Sequence, residues 1–399
     1  MRIIGDTNIP FLSYRKIALV ISAIVVLIGL ALVLSGFFNP QLGIGLNFGI
    51  DFTGGTQVIA KFREAPDLLR LRSSLANLEG GTPVIQSFDE AEKHEVIIRV
   101  ENPEDEEGDF TRPIIDLLHA EYNSDLGDRF DLNTQGSQAL TLELSEANPD
   151  GVEGAGEEID GYYEPMAEAV LEYRKEHGIF YSVSELDEVG ELSAGVRSLI
   201  QNEAGIGAFS LLGAESVGPT VGADLKRQAS LAIGLSLLGM LIYIWIRFQL
   251  PYGIGAVAAL FHDVIVTLTA LALTGREINL PTIAALLTLV GYSVNDTVVV
   301  FDRVRENLRL HRGEDLEGLM NTSINQVLSR TIITSGTTLV VVLSLYIFGG
   351  DVINTFAFVL LIGILIGTYS SIFVAAPVAL WVSKLLAARR DRRRKAGRK

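Results

Sequence analysis

Six apolar stretches, at about 17–38, 229–246, 253–274, 281–301, 331–349 and 354–383, set the organisation of this chain. A helix needs ~20 apolar residues to cross ~30 Å of hydrocarbon, so each stretch predicts a membrane-spanning helix. The last is long enough to tilt or to run on into the interface. The first is longer than the apolar core of a secretory signal, and LSGFFNPQ after it has no small-residue cleavage site, so it reads as a retained anchor.

Between the first two spans the apolar period shortens. TQVIAKF alternates as a strand does, and PDLLRLRSSLANL has helical spacing. TPVIQSF and EVIIRV read as two strands joined by polar residues, TRPIIDLLHAEY as a helix with Thr111 at its N-cap, and IGAFSLLGAESVG as a last strand. The order is β-α-β-β-α-β, a ferredoxin-like split unit, interrupted at about 122–205. The first part of that insert is polar and acidic, with one expected strand at ALTLEL; the second carries two or three short helices. The fold class is thus a polytopic helical membrane protein with an α+β domain between helices 1 and 2. The expected divisions are 1–38 (N-terminus and first span), 39–228 (outer domain), 229–384 (spans two to six) and 385–399 (basic tail).

Charge fixes the expected orientation. Arg15 and Lys16 precede span one, Arg247 follows span two, Arg303, Arg305, Arg309 and Arg312 follow span four, and RRDRRRKAGRK follows span six. By the positive-inside rule both termini are cytoplasmic. The short outer loops GREINLP and GGDVIN hold one basic residue, Arg276. From Asp51 to Leu225 there are 37 acidic and 11 basic residues, a net of −26 within a chain total of −16. That exterior argues against nucleic acid, which needs a basic footprint. The stretch AEAVLEYRKEHGIFYSVSELDEV is similar to helix-hairpin-helix repeats of DNA-binding proteins, yet VGELSAG replaces their phosphate-contacting hairpin. A structural or protein-docking insert is the better expectation.

Enzyme chemistry finds little support. There is no cysteine, no G-x-x-x-x-G-K-[ST] and no H-E-x-x-H, and the five histidines are scattered. His262 beside Asp263 makes a poor metal site. The expectation is no catalytic residue, no metal and no bound cofactor. What remains is polar residues at membrane depth, where a charge costs roughly 2.5–3.5 kcal/mol and usually marks an ion route. Asp263 lies near the middle of span three, with Thr267 one turn on. Span four carries Tyr292, Ser293, Asn295, Asp296 and Thr297 and runs into Asp302 and Arg303. Low dielectric penalises a carboxylate and a nearby arginine offsets the penalty, so a carboxyl balanced between the two can exchange a proton. Asp263 and Arg303 differ in depth by ~15 Å at 1.5 Å per residue, which makes a direct pair difficult. Gly363-x-x-x-Gly367 fits a close helix-packing face.

GIDFTGGT after span one, SVGPTVGADL before span two, FHDV in span three and GYSVNDTVVVFDRVREN in span four together resemble the SecF family of the SecD–SecF protein-export complex, related to the resistance-nodulation-division transporters. The resemblance covers the chain outside about 122–205. It implies a subunit that pairs with SecD, associates with the SecYEG channel and uses the proton-motive force to pull preproteins across the membrane at a late stage. It places the proton pathway on Asp263 and Arg303, with Asp296 in support beside Asn295, Tyr292 and Ser293. Gly54 and Gly55 fall in the segment linking span one to the outer domain. The bilayer and the preprotein are the other expected partners, nucleic acid is not, and sodium could replace the proton. A stand-alone small-molecule or lipid exporter and a passive translocon scaffold are the competing expectations.

Overall fold

The structure, a computed structural model, describes residues 7–38, 45–76, 78, 83–88, 93–100, 110–127, 129–154, 156–311 and 314–396. It divides into two compact units, one made of Met1–Gly49 with Leu225–Lys399, the other of Ile50–Asp224.

The first unit begins with a 3₁₀ turn, Phe11–Tyr14, and α1 (Arg15–Phe38), followed by the two-residue strand β1 (Asn47–Phe48). The second opens with the short helix α2 (Ile50–Thr53). Then come β2 (Gly55–Phe62), α3 (Leu68–Leu75), β3 (Val84–Phe88), β4 (Glu95–Val100) and α4 (Thr111–Tyr122), in the order the periodicity predicts. The insert holds β5 (Phe130–Asp131), α5 (Ser137–Ala147), α6 (Glu157–His177), α7 (Ala194–Glu203) and β6 (Ala204–Gly205), and β7 (Phe209–Val217) follows it. The four longer strands form one antiparallel sheet in the order β3-β4-β2-β7. Val58, Ala60 and Phe62 of β2 alternate inward against Leu71 and Leu75 of α3 and Ile114 and Leu118 of α4. Asp67 caps α3 by accepting from two backbone N–H groups. Thr111 opens α4 rather than capping it; Phe110 stands at the cap position.

The expected strand at ALTLEL is helix α5. Leu140 and Leu144, four apart, are buried in the insert's own core while Leu142 is 56 % exposed. An alternating pattern over six residues fits both periods, and burial of the i, i+4 pair against Tyr163, Ala167 and Val170 of α6 selects the helix. The second part has one long helix, α6, a 3₁₀ turn capped by Ser182 and Glu185, and α7.

The chain then runs through α8 (Pro219–Arg247), α9 (Leu250–Thr274), β8 (Glu277–Ile278), α10 (Leu280–Leu310), α11 (Leu316–Phe348) and α12 (Gly350–Ser370). A single π-helical turn, Ser371–Ala375, joins α12 to α13 (Ala376–Ala396). Among the described residues six helices are long and apolar enough to cross a membrane: Phe11–Leu34, Pro219–Arg247, Leu250–Thr274, Leu280–Leu310, Leu316–Phe348 and Ile353–Arg389. They coincide with the six apolar stretches, and the last exceeds the bilayer thickness as its length predicts. The bundle core joins Ala256, Ala259 and Leu260 of α9, Val290 and Val294 of α10 and Ala375, Ala376 and Ala379 around the π turn. A Cβ at Gly255 would lie 2.5 Å from the Ala375 carbonyl oxygen, so this glycine lets α9 rest on the π turn. Helix α8 is largely exposed and meets the core through Leu237, Met240 and Ile244, with Phe248 joining just after its end.

Candidate functional site

Asp263 is fully buried on α9. One carboxylate oxygen, Oδ2, accepts from Ser293 Oγ of α10 at 2.5 Å and from Ser370 Oγ, the last residue of α12, at 2.7 Å. The other, Oδ1, meets His262 Nδ1 at 2.8 Å. A Cβ at Gly367 would stand 3.3 Å from Ser293 Cβ and 3.7 Å from Asp263 Oδ2, so that glycine sets the approach of α12 to the carboxyl. Gly363, one turn earlier, would strike Leu289 of α10, which makes the predicted glycine face a real helix contact.

Asp296, 2 % exposed, lies on the next turn of α10 after Ser293. Its Oδ2 accepts from Ser335 Oγ of α11 at 3.3 Å, and Thr368 Oγ1 of α12 lies within reach of both, 3.5 Å from Asp296 Oδ2 and 2.9 Å from Ser335 Oγ, with one hydrogen to give to either. Arg330 of α11 lies within electrostatic reach of Asp296 without bonding it. Two carboxyls on neighbouring helices thus converge on one short stretch of α12, Thr368 for Asp296 and Ser370 for Asp263.

Both sites are built from hydroxyls. A hydroxyl donates to a carboxylate and, after rotating, accepts from a carboxylic acid, so either protonation state of each aspartate keeps its partners. The stretch of α12 that supplies them ends in the π turn, a feature that recurs at functional sites because its hydrogen-bond ladder is locally broken.

The other predicted residues are placed differently. Arg303 donates to Gln326 of α11 and to Glu306, both at 2.6 Å, at the end of span four. Asp302 beside it takes both oxygens to Arg247 at 2.6 and 2.5 Å. Neither joins the buried cluster. Asn295 is exposed on α10, and the buried hydroxyl oxygen of Tyr292 has no hydrogen-bond partner among the described residues. Gly54 and Gly55 have φ of 72° and 123°, backbone that favours glycine. A Cβ at Gly54 would lie 3.2 Å from Pro219 Cα, and one at Gly222 would lie 3.0 Å from Gly54 N. The glycine pair therefore closes the base of the Ile50–Asp224 unit against the start of α8.

The pattern called "Protein export membrane protein SecD/SecF, C-terminal" matches residues 200–385, and the "SecD/SecF GG Motif" matches residues 42–65. A protein translocase subunit SecF of Koribacter versatilis is 41 % identical over 95 % of this chain and 92 % of its own length. One from Rhodothermus marinus is 33 % identical over 98 % of each. The chain belongs to the SecF family of protein translocase subunits. It is similar in structure to SecDF of Thermus thermophilus, a translocon-associated membrane protein, with a TM-score of 0.63 and 27 % identity over 95 % of this chain. It spans 39 % of the length of that SecDF chain. Membership of this family and six spanning helices make it a multi-pass membrane protein of protein export.

Ser335, Thr368, Ser370 and Arg330 escape sequence reasoning. Their one signal is a polar run inside an apolar span, SRTIITSGTT in α11 and GTYSS in α12. Hydroxyls in membrane helices most often bond their own i−4 carbonyl, as Thr269 and Thr288 do here, so the run alone selects none of them.

Proposed function

We propose that this SecF-family subunit pairs with SecD, associates with the SecYEG channel and uses the proton-motive force to promote late steps of preprotein translocation. In this reading it lies in the cytoplasmic membrane with both termini inside and the Ile50–Asp224 unit, a ferredoxin-like domain with its insert, outside. The observation that carries the proposal is the pair of buried carboxyls, Asp263 and Asp296, each held by hydroxyls supplied in part by the same end of α12.

Proton flow down a membrane potential supplies ~2.3 kcal/mol per charge per 100 mV. A proton arriving at Asp263 makes it a donor to one of Ser293 and Ser370, whose hydroxyl turns round to accept, and one arriving at Asp296 does the same towards Ser335 or Thr368. Both changes act on residues 368–370, next to the π turn. The π turn is the element best suited to convert them into a shift of α12 against α9 and α10. Arg303, engaged with Gln326 and Glu306, anchors the cytoplasmic end of α10 in this scheme, and Arg330 supplies the nearby positive charge for Asp296. The protein supplies no catalytic group of its own and needs no cofactor beyond the ion gradient.

The test is preprotein uptake into inverted vesicles containing the complex, with and without a proton gradient. Wild type is expected to accelerate with the gradient, and Asp263→Asn to assemble normally without accelerating. Equal stimulation of both sinks the proposal and favours a passive scaffold. Stimulation that follows a sodium gradient instead assigns the same carboxyls to sodium. Export of a small solute by the chain without SecD would mark a stand-alone exporter.

A further inference from the structure

Two connections join the helical bundle to the Ile50–Asp224 unit in the covalent chain. One runs from α1 through β1 and α2 to Gly54, the other from β7 into α8 at Pro219. Their attachments to the bundle differ in place. Helix α8 meets the core through apolar side chains in its second half, and its polar attachment is at its far end, where Arg247 pairs with Asp302 of α10, away from Asp263 and Ser370. Helix α1 is bound by fixed geometry at two levels. At mid-membrane, Tyr369, the residue before Ser370, shares a hydrogen bond with Ser22 Oγ at 3.2 Å and donates to the Ala18 carbonyl at 3.3 Å. Gly29 packs so tightly on α9 that a Cβ would stand 2.0 Å from Thr269 Oγ1. After α1 the chain is fastened again, where β1 pairs in parallel with β8 of the α9–α10 connection and Gly49 donates to the Ile278 carbonyl at 2.8 Å.

We infer that α1, rather than α8, carries the protonation state of Asp263 towards the outer domain, with Tyr369 as the positioning residue that reads it. The inference rests on the proton-coupled reading above and adds the direction of transmission to it. Ser370 holds the carboxyl and Tyr369 holds α1, so a movement of α12 that breaks or reverses the Ser370 bond shifts both. The Tyr369 ring also stands 6.1 Å from the His262 ring and stacks on Phe373 of the π turn at 5.0 Å. It therefore senses the second carboxylate oxygen through His262 as well. On the elements that hold Asp263 the titratable groups are His262 on its own helix, Tyr292 and Asp296 to either side of Ser293 on α10, and Tyr369 next to Ser370 on α12; α1 contributes the Ser22 hydroxyl that meets Tyr369.

The absence of cysteine makes the test direct. Spin labels on cysteines at Leu34 of α1 and Phe348 of α11, both exposed, report the distance between these helices in the full chain with SecD in nanodiscs. A second pair replaces Leu34 with Leu231 of α8. The 34–348 distance is expected to change between pH 8 and pH 5, to stay fixed in Asp263→Asn, and to lose at least half its response in Tyr369→Phe, which removes only the hydroxyl. The 231–348 response is expected to be the same with and without the Tyr369 hydroxyl. A full 34–348 response in Tyr369→Phe, with none in Asp263→Asn, overturns the role of Tyr369 and leaves the proton reading standing. A response that survives in Asp263→Asn overturns the proton reading itself, and no response in wild type overturns transmission through α1.

Discussion

Asp263 in the helical bundle and Asp131 in the insert are both buried carboxyls without a bonded lysine or arginine among the described residues, yet their surroundings differ in a way that fits Asp263 to the proposed proton carrier and Asp131 to a strut. Asp131 accepts from the backbone N–H groups of Asn133 and Gly207 at 2.9 and 2.8 Å, and from Asn123 Nδ2 and Thr134 Oγ1 at 2.9 and 2.8 Å. Two of those four donors are backbone N–H groups, which cannot turn round to accept, and Asn123 is fixed in its orientation because its Oδ1 accepts from Ala208 N–H. They hold a carboxylate and lose their acceptor when it is truncated. Asp263 has hydroxyls and an imidazole, every one of which can serve as donor or acceptor. The two sites thus differ in the chemistry of their donors rather than in depth of burial.

The strongest way to break this comparison is to truncate each carboxyl and compare stability. Asp131→Ala leaves three buried amide donors unmet. At ~1–3 kcal/mol for each orphaned group it is expected to destabilise the Ile50–Asp224 unit by about 3–5 kcal/mol. The denaturant midpoint of the full chain, read by proteolysis within the insert, measures it. Asp263→Asn is expected to leave that midpoint unchanged while removing gradient-stimulated export. If instead Asp263→Asn unfolds the bundle and Asp131→Ala is silent, the distinction between strut and carrier collapses.

Gly255→Val sharpens the bundle side. The added carbons collide with the Ala375 carbonyl and press on the π turn. A loss of about 1–3 kcal/mol is expected from overpacking, together with reduced gradient stimulation; loss of stability alone would make the π turn a passive feature. Ser335→Ala is a smaller change. It removes one of two hydroxyls from Asp296, and a several-fold drop in gradient-dependent uptake with normal assembly is expected.

The smallest expected effect lies in the insert and concerns pH. Burial and the hydrogen bond to Glu188 push Tyr173 up to about 12. The unfolded chain then loses this proton at lower pH than the folded one, so the tyrosine's contribution is intact below pH ~10 and is lost as pH rises towards 12. Tyr173→Phe is expected to flatten the alkaline fall in stability of the insert; an unchanged pH profile would remove Tyr173 from the account.

Much of the architecture follows from the amino-acid sequence alone. Six spans are legible because twenty apolar residues in a row have few structural outcomes other than crossing a bilayer. The order of strands and helices around the sheet follows from a change of period between TQVIAKF and PDLLRLRSSLANL. Asp263 and Asp296 stand out for the same energetic reason, since a carboxyl at that depth demands an explanation. ALTLEL, by contrast, is too short for its pattern to choose between strand and helix, and α6 made the choice by burying Leu140 and Leu144. Tertiary structure likewise decided what each aspartate touches. It sent Arg303 to Gln326 and Glu306, brought Ser335 and Thr368 to Asp296, and brought Ser370 to Asp263. A hydroxyl in a helix can bond its own backbone or a neighbour's side chain at similar cost, and only the packing of α12 against α9, α10 and α11 resolves that near-degeneracy.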